Sequence, residues 1–106
     1  MIEIDPAVYD AARRFFELPN LTHGHNIILE DAREWIERRR TRTIEHGSQA
    51  DNDTPFTIVV HDCFSGGGVP KHLFTVEFWE SLKSLVHQDG VIAVASSVLF
   101  FAVIFK

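Results

Sequence analysis

A chain of 106 residues, 45% hydrophobic and 24% charged, can bury a core but is long enough for only one domain of modest size. Its formal charge of −5 argues against a general nucleic-acid binder, because neutralising phosphates takes a basic surface. The single cysteine, Cys63, excludes an intrachain disulfide and suits a reducing compartment, so a cytoplasmic location is expected.

In chain order, "MIEIDPAVYD" shows no basic start followed by an apolar run, hence no secretory signal. Met1 to Ile4 reads as a short strand, Asp5 as a helix cap and Pro6 as a first-turn residue. Val8, Ala11, Ala12, Phe15 and Phe16 recur at helical spacing, which predicts an amphipathic helix over residues 6–16. Pro19 and Gly24 stop it. Asn26 to Leu29 reads as a buried strand. Asp31 can cap a second helix with Ala32, Trp35 and Ile36 inward, fraying among Arg38, Arg39, Arg40 and Arg42. Those arginines read as a solvated helix end. Residues 41–55 are polar and irregular, which predicts an insertion loop.

"FTIVVHD" is the clearest strand, and its near-continuous apolar run suits a strand covered on both faces. Thr75 can cap a third helix with Phe78, Trp79, Leu82, Leu85 and Val86 on its buried side, ending at Gly90. "VIAVA" follows as a strand. Val91 to Phe105 is almost wholly apolar but shorter than the ~20 residues of a spanning helix. A strand followed by a second apolar segment is expected there, with a membrane tail as the lesser alternative. Strands alternating with helices predict a parallel sheet with covering helices.

Parallel strands joined by right-handed crossovers present their carboxyl ends along one edge, where open α/β sheets bind ligands. Three strands here end in acid: Glu3 with Asp5, Glu30 with Asp31, then Asp62. Such carboxylates can hold a ribose diol or an amino group and draw a cationic ligand. Asp5 and Asp31 also have a plain reading as helix caps; Asp62 has only that of a turn residue. His23 and His25 have no second pair at ligand spacing, so no metal site is expected. His61 and Cys63 lie two positions apart and can share a strand face, but a third group to orient a thiol nucleophile is not evident. "SGGG" lacks the Gly-Lys-Ser/Thr ending of a triphosphate cradle.

The segments "EIDPAVYDAARRFF", "ILEDAREWI" and "FTIVVHDCFSGGGVPKHLFTVEFWESLKSLVHQDGVIAV" resemble the spermidine/spermine synthase (aminopropyltransferase) family, which shares the methyltransferase-type sheet. The resemblance implies one partial nucleoside-binding α/β domain over residues 1–106. Its sheet is partial Rossmann-like, mainly parallel, with helices on both faces and the first glycine-loop strand absent. By resemblance, Glu3 holds the ribose hydroxyls, Asp31 and Ala32 meet the adenine end, and Asp62 orients and deprotonates the attacking amine. Ser65, Gly66, Gly67 and Gly68 correspond to a gate loop, followed by Leu73 and Phe74.

The implied partners are a nucleoside-type molecule and a polyamine. Decarboxylated S-adenosylmethionine or S-adenosylmethionine enters as co-substrate, and no tightly bound cofactor is expected. Ser65 stands where the family has a polyamine-binding aspartate, which keeps a methyltransferase-like protein open as an alternative. Without the central strand, burial of Ile4, Val59 and Val60 lacks a neighbour. The resemblance then implies a fragment with impaired activity, or a non-catalytic module whose exposed strand edges offer a route to a homo-oligomer.

Overall fold

The computed structural model describes residues 1–16, 27–46, 54–63, 68–95 and 100–104. The fold is mixed α/β and partial Rossmann-like, with strands that pair mainly in parallel. The chain divides into two compact units, Met1–Trp35 and Ile36–Lys106.

In the first unit, β1 (Ile2–Glu3) pairs in parallel with β2 (Ile28–Leu29), Ile2 opposite Ile28 and Glu3 opposite Leu29. Between them runs α1 (Pro6–Phe15). Asp5 caps it as its sequence position suggests: a carboxylate oxygen accepts the Ala7 N–H at 2.8 Å. Pro6 loses nothing at the first turn, where its missing N–H would have had no helical partner. Arg13 and Arg14 lie in the last turn, where positive charge complements the exposed carbonyls. The apolar stripe behaves differently from the expectation. No residue of α1 is buried, and Phe15 and Phe16 are 78% and 80% exposed. Periodicity shows that a helix has an apolar side, but covering that side takes a second layer. A unit this short has little surface with which to supply one.

The boundary between the units falls within α2 (Ala32–His46). Residues 41–46 are helical, which corrects the expected start of the polar loop at Thr41. Within the extension both threonine hydroxyls bond to the helix backbone. The Thr41 hydroxyl donates to the Glu37 carbonyl and the Thr43 hydroxyl to the Arg39 carbonyl, both at 3.0 Å, so neither side chain competes for a non-helical turn. The arginines do not fray the helix. Arg39 donates to the Thr54 carbonyl at 3.0 Å and lies over the Phe56 ring at 4.4 Å. Arg40 meets Glu37 at 3.4 Å, an exposed pair of small energetic weight.

The second unit is built on β3 (Phe56–His61), β4 (Val86–Ala95) and β5 (Phe100–Ile104), in that spatial order. β3 and β4 run parallel; β5 returns antiparallel to β4, Val91 opposite Ile104 and Ala95 opposite Phe100. The second apolar segment expected after "VIAVA" is this strand. A 3₁₀ turn at Lys71–Leu73 leads to α3 (Val76–Ser84). α3 stops at Ser84, and β4 starts at Val86, four residues before the expected helix end at Gly90. Leu85 closes the helix and is itself core, while the β-branched Val86 pairs with Phe56.

The core holds Ile36, Leu73, Phe78, Leu82, Leu85, Ile92 and Ala95. α3 lies against β3 through Phe78, Trp79 and His61, and the Ser81 hydroxyl ties it to α2 by donating to Glu37 at 2.6 Å. Alternation along β3 then decides exposure. His61 is buried and Val59 half-buried, while Ile58 and Val60 on the opposite face are 70% and 62% exposed. β3 is therefore covered on one face, not two, because the helices packed on it within this unit occupy a single side. Ile4, whose burial was expected to need a strand neighbour, is likewise exposed. Among the described residues the strands pair as two separate sheets.

Thr75 caps α3, its hydroxyl oxygen accepting the Phe78 N–H at 3.2 Å. Thr75→Ala is expected to destabilise the second unit by about 1 kcal/mol, read as a lowered urea midpoint. Thr75→Asn, which keeps a side-chain acceptor, should avoid most of the loss.

Candidate active site

In the first unit the acids lie where parallel pairing puts them. Glu3 is the last residue of β1, and Glu30 and Asp31 follow the end of β2, so they share the carboxyl edge of that strand pair. One Glu3 carboxylate oxygen accepts the Asp5 N–H at 2.8 Å. One Asp31 oxygen accepts the N–H groups of Arg33 at 2.8 Å and Glu34 at 3.3 Å, which caps α2. Ala32 is the first residue of that helix. An ionised carboxylate has about four lone-pair sites. Capping is therefore chemically compatible with a further hydrogen bond to a ligand hydroxyl.

Asp62 belongs to the second unit. It follows the last residue of β3 directly, at the carboxyl end of the parallel β3–β4 pair, and it is exposed. Among the described residues no helix begins at it, and α3 has its own cap in Thr75. Its side chain thus has no structural duty of the kind that occupies Asp5 and Asp31. Gly68 is exposed, and a methyl added there would meet nothing within 4 Å. Space alone does not require glycine at that position. Ser65, Gly66 and Gly67 lie outside the described residues, as do His23 and His25.

His61 was read from sequence only as a neighbour of Cys63. It is 4% exposed. Nε2 lies 3.2 Å from the Leu73 carbonyl oxygen. A carbonyl can only accept, so Nε2 carries the proton and donates. That tautomer leaves Nδ1 as an acceptor, and Nδ1 is buried with no hydrogen-bond partner among the described residues. Such an atom costs about 1–3 kcal/mol. The rings of Phe74, Trp79 and Phe78 surround the imidazole, with centroids at 4.7, 4.8 and 5.6 Å. Burial lowers its pKa below the ordinary 6.5, against the opposing pull of the Leu73 carbonyl, of its own backbone carbonyl and of the Asp62 carboxylate. The imidazole is neutral at pH 7. Cys63 is half-buried just past the strand. The sequence signal for His61 was a polar residue closing an otherwise apolar run.

Among the described residues, no group of three or more His, Cys, Asp or Glu is placed to hold a metal ion, and no helix is long and apolar enough to cross a membrane.

The model of the spermine/spermidine synthase domain matches residues 1–103. The chain belongs to the spermine/spermidine synthase domain family. The relatives of this synthase domain include an N-terminal histidine N-methyltransferase of Emericella nidulans, 39% identical over 94 residues, which cover 89% of this chain and 15% of that protein. A polyamine aminopropyltransferase of Vibrio vulnificus is 32% identical, over 87% of this chain and 27% of its own length. Another, from Erwinia tasmaniensis, is 30% identical over 94% of this chain and 32% of its own length. The synthase domain thus spans less than a third of each of these relatives. No solved structure matches it.

Proposed function

We propose that this chain is the nucleoside-binding part of an aminopropyl-transferring enzyme of polyamine synthesis, acting in the cytoplasm. The observation that carries the reading is Asp62. It is an exposed carboxylate at the carboxyl end of β3 with no cap to serve, in a chain of the synthase family. Decarboxylated S-adenosylmethionine is the proposed donor. The neutral amine of a polyamine attacks the methylene beside the sulfonium. The carbon–sulfur bond breaks, its electron pair returns to sulfur, and methylthioadenosine leaves. Asp62 orients the amine and takes its proton. Glu3 holds the ribose hydroxyls, and Asp31 with Ala32 meets the adenine. Gly68, with Ser65, Gly66 and Gly67, belongs to the loop over the ligand. Taken this way, residues 1–106 act as a single partial domain.

The test is release of methylthioadenosine from decarboxylated S-adenosylmethionine and a diamine, followed chromatographically, with titration calorimetry against methylthioadenosine. Asp62→Asn is expected to lower the transfer rate about 100-fold or more, the usual contribution of a positioned base, while leaving methylthioadenosine affinity nearly intact. The absence of both release above the uncatalysed rate and binding of methylthioadenosine would end the proposal.

Methyl transfer is the second reading, supported by the fungal N-methyltransferase relative and by Ser65 in the place of an acidic residue. In that reaction the amine attacks the donor methyl group and S-adenosylhomocysteine leaves. Comparing S-adenosylmethionine with its decarboxylated form separates the two, since only a methyltransferase needs a partner for the donor carboxylate.

A further inference from the structure

The geometry points to His61 as a positioning residue that fixes the direction in which Asp62 leaves β3, by fastening the strand end to the Leu73 carbonyl and to the aromatic rings of Phe74, Phe78 and Trp79. The inference rests on the proposed role of Asp62 for its functional meaning, but the fastening is a structural claim with its own test.

Three observations carry it. The first is connectivity. His61 and Leu73 are joined by one hydrogen bond of 3.2 Å across twelve positions of sequence, so the segment containing Asp62, Cys63 and Gly68 is closed at its base. Leu73 is itself anchored. It is buried, and its N–H donates to the Pro70 carbonyl at 3.0 Å while the Phe74 N–H donates to Lys71 at 3.1 Å. The carbonyl that receives His61 is thus part of a folded 3₁₀ turn and not of a free strand of chain.

The second is the cage. Phe74 meets the imidazole edge-on at 90°, and Phe78 and Trp79 approach at 67° and 43°. Phe78 and Trp79 also lie edge-to-face on each other at 5.5 Å, and Trp79 on Phe74 at 5.9 Å. A ring held on three sides and hydrogen-bonded on a fourth has one orientation. Its Cα is one peptide from that of Asp62, so the torsions leading into Asp62 start from a fixed point.

The third is the unpartnered Nδ1. Phenylalanine or leucine would fill an aromatic cage without burying an orphan acceptor. A residue that departs from the lowest-energy choice beside a candidate reacting group is where a local rule is expected to yield to function. The donated Nε2–H is what an aliphatic or phenyl side chain could not supply.

The test uses the whole chain and needs no ligand. Nitrogen-15 NMR of the imidazole should show the Nε2–H tautomer; the Nδ1–H tautomer would overturn the proposal. Two variants separate fastening from packing. His61→Phe keeps a ring and loses the donor, whereas His61→Gln places an amide N–H near the position of Nε2. In His61→Phe, exchange of the Leu73 and Phe74 amides should quicken about tenfold, the equivalent of one lost hydrogen bond. Exchange at Val91, Ala93 and Ala95 of β4 should not change. Residual dipolar couplings of the Asp62 and Cys63 N–H vectors should shift in His61→Phe and return toward the native values in His61→Gln. Uniform loosening of β4 and the turn together, unchanged Asp62 couplings in His61→Phe, or no recovery with glutamine would each overturn it. These readouts do not involve transfer chemistry, so their failure is distinguishable from a failure of the proposed activity.

Discussion

Replacing Phe78 by alanine is expected to remove about 3–5 kcal/mol from the stability of the second unit. Phe78 is 2% exposed and, with Ile92, is the largest of the fully buried side chains. It sits on the first turn of α3, where the Thr75 cap fixes its backbone, and its ring touches both Trp79 and His61. Truncation loses the transfer energy of the ring and leaves a cavity bordered by stiff neighbours that cannot collapse into it. Small domains are stable by only about 5–15 kcal/mol, so the variant would retain little margin. The measurement is a guanidinium titration followed by Trp79 fluorescence, with Val76→Ala as the control. Val76 lies two residues away on the same helix and is 68% exposed, and its truncation should fall within about 0.5 kcal/mol of the native protein. Equal midpoints for the two variants would show that α3 does not form the core.

The contrast between Phe78 and Phe15 shows how much could be read in advance. Both phenylalanines fall on the apolar stripe of a capped helix, and both helices exist with the caps expected, Thr75 and Asp5. Caps and periodicity are local properties, and α1, α3 and the alternating order of strands followed from them. Burial is not local. Phe78 is buried because β3 and α2 supply surfaces for α3 to cover, whereas Phe15 is exposed on a unit with a two-residue strand pair. The same limit explains β3. An uncharged run such as "FTIVV" states that both faces tolerate burial; it does not state that both receive it. Asp62 was singled out from the sequence because its plain reading as a turn residue was weak. His61 was missed because its partners, the Leu73 carbonyl and three rings, come from a later part of the chain and are joined to it only by the fold. The early start of β4 was missed because glycine after "QD" imitates a helix stop, when the residue is needed inside a strand.

That glycine carries the second large effect. Gly90→Ala is expected to destabilise the second unit by about 1–3 kcal/mol, the range for overpacking. A methyl group built on Gly90 would lie 2.5 Å from Val86 Cγ1, 2.9 Å from the His87 carbonyl oxygen and 3.0 Å from the Phe56 carbonyl oxygen. The crowding has a cause in the pairing. Phe56 faces Val86 and Ile58 faces Val91, so two steps along β3 are matched by five along β4, and the surplus folds into a bulge at residues 87–90. The Asp89 N–H bonds back to His87 Nδ1 at 3.1 Å within it. Val86 can move aside by rotating, but the two carbonyls are backbone, and one belongs to the neighbouring strand. Relief therefore means parting β3 from β4 just before the register Ile58–Val91 to His61–Val94 that carries Asp62 to the strand end. The double variant Val86→Ala with Gly90→Ala clears the first contact and leaves the other two. Its urea midpoint should recover part of the loss beyond the additive expectation, but not all of it. Full recovery would assign the strain to the valine alone; a native midpoint in Gly90→Ala itself would show that the bulge is loose and that the β3–β4 register does not depend on it.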